Sequence, residues 1–225
     1  MFDAVIFDWD GTLADTRRVI VLSFQKALET IGCKVSDEFI ERRIGIGARN
    51  MFKEILKTAR IPFDNEMIER LVEKKIRIQT ELTGNVELFD GAVELLEALR
   101  RRVKLALATM SNRRTIDKVL REKGIRRYFD FVITEDEVSQ PKPNPEIFLK
   151  CAARLRCPVQ RCVVIEDSIF GVKAAKEAGM KCVAVPSGAY SVDELKKERP
   201  DLIVRSIKEK EKILNFILGE DKGVP

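Results

Sequence analysis

Histidine is absent from this chain of 225 residues. Its absence excludes Ser–His and Cys–His nucleophile pairs, histidine-ligated metal sites and phosphatases that use a nucleophilic histidine. Any nucleophile in this protein must therefore be activated in another way.

The five cysteines lack the spacing of a zinc site or of a catalytic cysteine loop. No two have the C-x-x-C spacing typical of zinc ligands, and none is followed six positions later by arginine, as in the cysteine phosphatases. We therefore predict buried free thiols. Cys162 and Cys182 each begin a predicted strand, so a disulfide between them is the alternative if the source is a hyperthermophile.

Long apolar runs are lacking as well. No stretch approaches the roughly 18 residues that a membrane-spanning helix requires. Near the N-terminus, Asp3 stands where a signal peptide would be basic, and no cleavage-site pattern follows. We therefore expect a cytoplasmic protein with no membrane partner. Glutamine and asparagine are few beside the charged residues, a balance that indicates a thermophilic source.

A strong excess of one charge is also missing. The chain has 41 basic and 36 acidic residues, a net charge of +5, and the two signs alternate in stretches such as KEKEK at 208–212. This pattern predicts a solvated, ion-paired surface whose small positive excess helps to recruit anionic substrates. No stripe of interleaved basic and aromatic residues is present, so we expect no nucleic-acid partner.

Apolar, β-branched runs alternate with helical patterns along most of the chain. Near-continuous apolar strands separated by helices predict an α/β fold whose core is a doubly wound, Rossmann-like parallel sheet covered on both faces. Helical patterns occupy, among others, residues 91–102 and 113–124. The predicted strands are 4–8 (AVIFD), 103–109 (VKLALAT), 131–134 (FVIT), 162–167 (CVVIED), 182–186 (CVAVP) and 202–204 (LIV).

Residues from about 15 to 86 break this alternation, because they show helical patterns only. We predict a discontinuous core domain of residues 1–14 and 87–225, and an all-helical domain of residues 15–86 inserted into it. The hinges would lie near Asp15 and near residues 89–91.

Polar residues follow the predicted strands at the points where the strands end. In a parallel α/β sheet, ligands bind beyond the carboxyl ends of the strands, so these side chains should converge on one rim. Four acids and one lysine form the composition of a site for phosphate and a hard cation such as Mg²⁺. The residues are Asp8, Asp10, Thr109, Ser111, Lys142, Glu166 and Asp167.

Each of these elements also has a structural interpretation. The DG dipeptide at 10–11 is common in turns, Asn112 is a suitable helix cap, and KPNP at 142–145 suits a rigid turn. Asp167 or Ser168 would cap the next helix equally well. Taken singly, the structural interpretation is favoured everywhere except at the first pair of acids. Taken jointly, four elements in this order at one rim favour a functional site.

Four ordered motifs cover nearly the whole chain. They are DWDGT (8–12), LALAT (105–109), KPNPEIF (142–148) and VVIEDSIFGVKAA (163–175). The first looks like the DxDGT motif, and all four together resemble the haloacid dehalogenase-like (HAD) superfamily. The chain is similar specifically to phosphatases with a helical C1-type cap after the first strand, the group of phosphoglycolate phosphatase and β-phosphoglucomutase-like members.

This resemblance implies that Asp8 is the nucleophile, which attacks phosphorus and becomes an aspartyl-phosphate. Asp10 would protonate the leaving alkoxide and then activate water. Successive strand residues point to opposite faces, so positions 8 and 10 can face the same substrate. The two carboxyl groups then need opposite protonation states, which their mutual repulsion helps to supply.

The resemblance also implies a Mg²⁺ ion. It would be held by the Asp8 carboxylate, the Asp10 backbone carbonyl and Asp167, with Glu166 acting through a water molecule.

Other residues at this rim are implied to bind the phosphoryl group. Lys142 would neutralise Asp8 and one phosphoryl oxygen, while Thr109, Ser111 and loop amides would bind the remaining oxygens. Positioning and charge neutralisation are most of what phosphoryl transfer requires.

We therefore predict a Mg²⁺-dependent phosphatase of small phosphorylated metabolites, phosphoglycolate- or sugar-phosphate-like, acting as a monomer or weak dimer. Dehalogenases of this superfamily lack the second motif-one Asp and phosphonatases have Ala there, so Asp10 argues against both. A sugar phosphomutase is an alternative, ranked lower because the best-known ones use a cap histidine. A receiver-like signalling domain is disfavoured because it needs neither Asp10 nor a helical insert. A catalytically inactive binding protein on this fold is the remaining alternative.

The segment IGIGARNMF at 44–52 resembles the substrate loop in the cap of phosphoglycolate phosphatases. One interpretation is an interhelical turn capped by Asn50. The other is a loop that meets the leaving group on closure, with Arg49 available to an anionic substrate tail. The sequence favours neither.

Overall fold

A parallel sheet forms the centre of the computed structural model, which describes residues 1–219. Within these residues, six strands lie in the order β5-β4-β1-β6-β7-β8, and every neighbouring pair is parallel. The strands are β1 (Ala4–Phe7), β4 (Lys104–Ala108), β5 (Phe131–Ile133), β6 (Cys162–Glu166), β7 (Lys181–Ala184) and β8 (Leu202–Ile203). The prediction of a parallel α/β sheet is confirmed, with each strand close to its predicted position.

Six helices accompany these strands. They are α5 (Ala92–Arg100), α6 (Arg113–Glu122), α7 (Glu146–Leu155), α8 (Ile169–Glu177), α9 (Val192–Lys197) and α10 (Lys210–Leu218). They cover both faces of the sheet, and alternate residues of β1 face opposite layers of helices. Val5 and Phe7 pack into one core with α5, α6 and α10, whereas Ala4 and Ile6 pack into the other with α7 and α8. Burial of each large side chain stabilises the fold by about 1.5–3 kcal/mol, which explains the continuous apolar strands.

Between β1 and α5 the chain forms a helical insert on a short two-stranded ribbon. Strands β2 (Ala14–Asp15) and β3 (Glu87–Leu88) of this ribbon are antiparallel. The insert consists of α1 (Arg17–Leu28), α2 (Asp37–Glu41), α3 (Ala48–Thr58) and α4 (Asn65–Glu81).

The helical insert has an apolar core of its own, in which the rings of Phe24 and Phe52 lie 4.7 Å apart. Phe170 of α8 packs against both this core and the core beneath the sheet. The division into a core domain of 1–14 and 87–225 and a cap domain of 15–86 stays a proposal.

The cysteines are free thiols, as the spacing predicted. The two cysteines considered for a disulfide do not lie opposite each other in the sheet. Cys182 lies opposite Val164, and Cys162 lies opposite Ala4. Residues 1–219 contain no helix that is long and apolar enough to cross a membrane.

Candidate active site

The carboxyl end of β1 places Asp8 beside a fully buried lysine. The Asp8 backbone N–H donates to the Ile165 carbonyl of β6 at 3.0 Å, which continues the sheet one residue beyond the strand. Lys142 Nζ donates to Asp8 Oδ1 at 2.5 Å and to Glu166 Oε1 at 2.7 Å. The lysine side chain is 0% exposed, so its charge is balanced by these two carboxylates and not by water.

Burial and neighbouring charges act against each other at this group. Burial raises the pKa of Asp8 well above its ordinary value, and Glu166 adds to this, while the Lys142 ammonium opposes it. Burial alone would lower the pKa of Lys142, but the Asp8 and Glu166 carboxylates outweigh it and raise that pKa. The lysine is therefore a permanent cation at the site, yet one positive charge does not balance all the acids around it.

Asp167 lies in a narrow cradle of glycine backbone. Its Oδ1 accepts a hydrogen bond of 3.1 Å from Thr12 Oγ1. Gly11 has a φ of +86°, and a methyl group there would lie 2.3 Å from Asp167 Oδ2. A methyl group at Gly188, in the loop after β7, would lie 1.7 Å from the same oxygen. Burial, reinforced by the Glu166 and Asp8 charges, raises the pKa of Asp167 well above its ordinary value.

Replacement of Gly188 by Ala tests this cradle. The φ of Gly188 does not require glycine, so the contact with Asp167 is the main reason for its small size. The new methyl group should displace the Asp167 carboxylate and weaken Mg²⁺ binding about 10–100-fold, as loss of supporting contacts around metal ligands does. Titration of Mg²⁺ by calorimetry measures this. Gly84→Ala, where a methyl group meets open space, is the matched control. Unchanged Mg²⁺ affinity in Gly188→Ala would contradict the implied role of Asp167 as a metal ligand.

Glu166 is fully engaged by protein groups. Its Oε1 accepts from Lys142, and its Oε2 accepts from the backbone N–H groups of Asp167 and Ser168 and from Ser168 Oγ, at 2.9–3.0 Å. Gly171 of α8 packs so closely that a methyl group there would lie 1.8 Å from Glu166 Oε1. Glu166 therefore orients Lys142 and the turn into α8. Ser168 caps α8 by accepting from Gly171 N, so the capping interpretation was correct for Ser168.

The acids fit a divalent cation. Asp8, Glu166 and Asp167 each offer a carboxylate oxygen, and these oxygens lie within 4.8 Å of one another. Burial, with a smaller contribution from neighbouring carboxylates, raises the pKa of Asp8 and of Asp167, and a bound cation would favour the charged form of both. Oxygen ligands and partial charge balance suit a hard ion such as Mg²⁺.

Asp10 is held by the two hydroxyl groups that the sequence assigned to phosphate. Thr109 Oγ1 and Ser111 Oγ both donate to Asp10 Oδ2, at 3.1 and 2.8 Å. Ser111 N donates to Thr109 Oγ1 at 3.0 Å, which fixes the threonine in turn. Within residues 1–219, the buried Asp10 Oδ1 has no hydrogen-bond partner. One oxygen of the carboxyl group is thus anchored, and the other is left for a ligand.

A small chamber separates this rim from the helical insert. Asp10 and Met110 line it from the sheet side, and Phe24, Met51 and Lys75 line it from the insert. Its free volume of about 20 Å³ accommodates about one water molecule. The chamber is therefore too small for a molecule the size of a phosphorylated metabolite with the insert in this position.

Lys75 is a residue that we did not predict. It is buried on α4, donates to Gln79 Oε1 at 2.5 Å, and its Nζ lies 5.1 Å from the centre of the Phe24 ring. Burial lowers the pKa of Lys75, while the Glu135 and Asp10 charges oppose this. A signal was available, because Lys75 continues the apolar stripe of Ile68 and Leu71 at helical spacing.

Arg49 lies outside the chamber. Its guanidinium pairs with Glu69 of α4, and its side chain is 49% exposed. Asn50 does not cap a turn, contrary to one of our interpretations: α3 begins at Ala48 with Gly47 at the N-cap, so Asn50 lies inside the helix. Asn112 does cap its helix, since its Oδ1 accepts from Arg114 N at 2.9 Å.

The chain is similar to known proteins of one family. The family model described as haloacid dehalogenase-like hydrolase matches residues 5–185. The phosphorylated carbohydrates phosphatase of Thermotoga maritima is 34% identical over 181 residues, covering 80% of this chain and 82% of that protein. The fructose-1-phosphate phosphatase YqaB of Escherichia coli is 30% identical over 184 residues, covering 82% of this chain and 96% of that protein. The β-phosphoglucomutase structure from Clostridium difficile superposes with a TM-score of 0.85 at 28% identity, covering 97% and 100% of the two chains.

Proposed function

Because the chain belongs to the haloacid dehalogenase-like hydrolase family and is a phosphatase within it, we propose that it hydrolyses small phosphorylated metabolites through an aspartyl-phosphate at Asp8. The observation that carries this proposal is the buried group of Asp8, Lys142 and Glu166, with Asp10 at the edge of a closed chamber. A nucleophile, a fixed cation and a separately anchored carboxyl group are thus held at one rim.

In the proposed reaction, an Asp8 oxygen attacks phosphorus as the bond to the leaving oxygen breaks. Asp10 gives its proton to that leaving alkoxide. Asp10 then accepts a proton from water, whose oxygen attacks phosphorus and releases Asp8 and inorganic phosphate. The hydroxyls of Thr109 and Ser111 keep Asp10 in place for both steps, since they hold one of its oxygens. Lys142 offsets negative charge at Asp8 throughout.

Mg²⁺ is the proposed cofactor, with Asp8, the Asp10 backbone carbonyl and Asp167 as its protein ligands. When bound, it neutralises charge on the phosphoryl oxygens. Glu166 is proposed to act on the ion indirectly, through a water molecule, because both of its oxygens already accept hydrogen bonds from the protein.

A phosphorylated carbohydrate is the proposed substrate class. Two relatives are named as phosphatases of phosphorylated carbohydrates and of fructose 1-phosphate. The similarity to a β-phosphoglucomutase keeps a sugar phosphomutase as the second candidate. Its weakness is the absence of histidine in the whole chain; among the residues within 1–219 that line the chamber, Lys75 is the one ionisable side chain that the insert contributes. A cytoplasmic location and a monomeric or weakly dimeric state stay predictions.

The first test measures phosphate release from a panel of phosphorylated metabolites with Mg²⁺ and with EDTA. We expect release from sugar or polyol phosphates with Mg²⁺, and a loss of at least about 100-fold with EDTA that Mg²⁺ reverses. The same samples are analysed for isomerised sugar phosphates. Isomer without phosphate release would favour the mutase, and hydrolysis unaffected by EDTA would contradict the metal site.

Replacement of Asp10 by Ala should separate leaving groups by their need for a proton. An alkyl phosphate should lose about 10²–10⁴-fold in kcat/KM, the usual range for a general acid. A nitrophenyl phosphate, whose leaving group departs as a stable anion, should lose much less. Steady-state kinetics on both esters measure the difference. Equal losses on the two would remove Asp10 from the role of acid.

A further inference from the structure

Glu135 reaches from the sheet side of the cleft to the helical insert. It lies two residues after β5, and its backbone N–H donates to the Ser111 carbonyl at 3.4 Å, beside the hydroxyl that holds Asp10. Its side chain crosses to the insert, where Oε2 accepts a hydrogen bond of 3.2 Å from Ala48 N. This bond therefore joins the insert to the sheet side of the cleft.

The acceptor for Ala48 N is missing on the insert itself. Ala48 is the first residue of α3, an eleven-residue helix, and helix N-termini attract negative charge. Gly47 at the N-cap has no side chain to satisfy these N–H groups, and its φ is +83°. A methyl group at Gly47 would lie 3.3 Å from Glu135 Oε2. The carboxylate therefore supplies the missing cap from across the cleft.

Glu135 also lies where the leaving group of a substrate would extend. It lines a cavity of about 130 Å³ that shares Gly47 and Met110 with the small chamber beside Asp10. A leaving group longer than the chamber must pass these two residues, and it then meets the carboxylate.

The charged groups around Glu135 come from both sides. Burial raises its pKa, Lys75 and the bond from Ala48 lower it, and Asp136 and Asp10 raise it further. Arg49, the basic side chain that lines this cavity, is paired with Glu69. Lys75 and Glu135 thus offset each other, and no surplus positive charge is built in for an anionic tail.

We propose that Glu135 is a specificity-determining residue: it fills the anion position at the N-terminus of α3 in the closed form, and so favours phosphate esters with an uncharged leaving group. A carboxylate or a second phosphate on that group would compete with Glu135 for the same N–H groups and be repelled by its charge. A hydroxyl group can instead donate to Glu135. The inference rests on the proposed phosphatase function and narrows its substrate class to neutral polyol or sugar esters.

The test compares wild type with Glu135→Gln, which keeps an oxygen acceptor for Ala48 N but removes the charge. Glu73→Gln is the matched control, because Glu73 is 70% exposed and pairs with Arg114 on the outside of the same cleft. Each protein is assayed on glycerol phosphate against phosphoglycolate, and on fructose 1-phosphate against fructose 1,6-bisphosphate.

We expect wild type and Glu73→Gln to prefer the uncharged leaving groups. In Glu135→Gln, the ratio of kcat/KM for anionic over neutral esters should rise at least about tenfold, equivalent to about 1.4 kcal/mol, mainly through a lower KM for the anionic ester. A general loss of folding would lower kcat/KM for both esters together and leave this ratio unchanged. An unchanged ratio, or an equal change in Glu73→Gln, would overturn the proposal.

A binding measurement separates this proposal from the proposed function. Calorimetric titration of the same esters into Asp8→Asn, with and without Glu135→Gln, needs no turnover. The affinity ratio should shift towards the anionic ester by the same factor. If wild type releases no phosphate but this binding ratio shifts, the proposed function fails and the role of Glu135 stands. If phosphate is released but neither ratio shifts, Glu135 has no part in specificity.

Discussion

Asp8→Asn is expected to lower kcat for phosphate release by at least about 10⁴-fold, the scale of loss seen when a nucleophile is removed. An amide oxygen cannot form the acyl phosphate, but it can still accept the hydrogen bond from Lys142 that Asp8 accepts at 2.5 Å. The fold should therefore persist while turnover stops. Phosphate release and thermal unfolding are measured on the same preparation.

Asp90→Asn is the matched control for this variant. It makes the same chemical change at an aspartate whose side chain is 80% exposed and paired with Lys208, next to the hinge. It should retain wild-type turnover. Substantial turnover by Asp8→Asn would remove Asp8 as nucleophile, and a large loss in Asp90→Asn would show that the assay reports something other than the site.

Lys142→Met is expected to destabilise the folded state by about 3–5 kcal/mol, because it leaves the Asp8 and Glu166 carboxylates buried without their common partner. Methionine has a similar length, so little of the loss would come from a cavity. Without the ammonium, the pKa of Asp8 rises further, so Asp8 is more often protonated and less often a nucleophile. Turnover should fall with stability.

Urea unfolding at neutral pH measures the change in stability. Lys150→Met, at a lysine that is 44% exposed and pairs with Glu146, is the control and should change stability by about 1 kcal/mol or less. Equal effects of the two replacements would mean that the buried lysine contributes no more than a surface ion pair.

The parallel sheet could be predicted because its strands are buried on both faces. Stretches such as Ala4–Phe7 and residues 162–165 of β6 are continuous apolar runs, which is what a sheet covered by helices on both sides requires. Some rim residues followed from the same reasoning, since Asp8 and Thr109 come directly after such runs. Lys142 is separated from β5 by a polar segment, and its position beside Asp8 was implied by the family resemblance.

The partners that shape the site could not be predicted in the same way. Gly171 and Gly188 are ordinary glycines in sequence, and only their approach to Glu166 and Asp167 shows that a methyl group would not fit. The partner of Arg49 could not be predicted either. Its position in the loop suggested a substrate contact as one of two interpretations, which stays a prediction; in the structure its guanidinium pairs with Glu69 of the next helix. Contacts between separate elements determine the surroundings of these residues. The hydrophobic periodicity of the sequence carries no information about such contacts.

The contact of Glu135 with the insert could not be predicted from the sequence either. Its place after β5 put it near the rim, but nothing in the local sequence indicates that it caps a helix of the insert. That contact joins the sheet side of the cleft to the insert, which packs around an apolar core of its own.

Strand β1, which ends beside Asp8, is made first during synthesis and paired late. Ala4 pairs with Lys104 on one side and with Cys162 on the other, so β1 has no neighbour until about half of the chain has left the ribosome, and it gains its second neighbour only with β6. At about 5–20 residues per second, an apolar strand waits several seconds without hydrogen-bond partners. The helical insert, whose contacts are local, can form during this interval. Nascent chains stopped before β4 should therefore contain a folded insert and an unprotected β1.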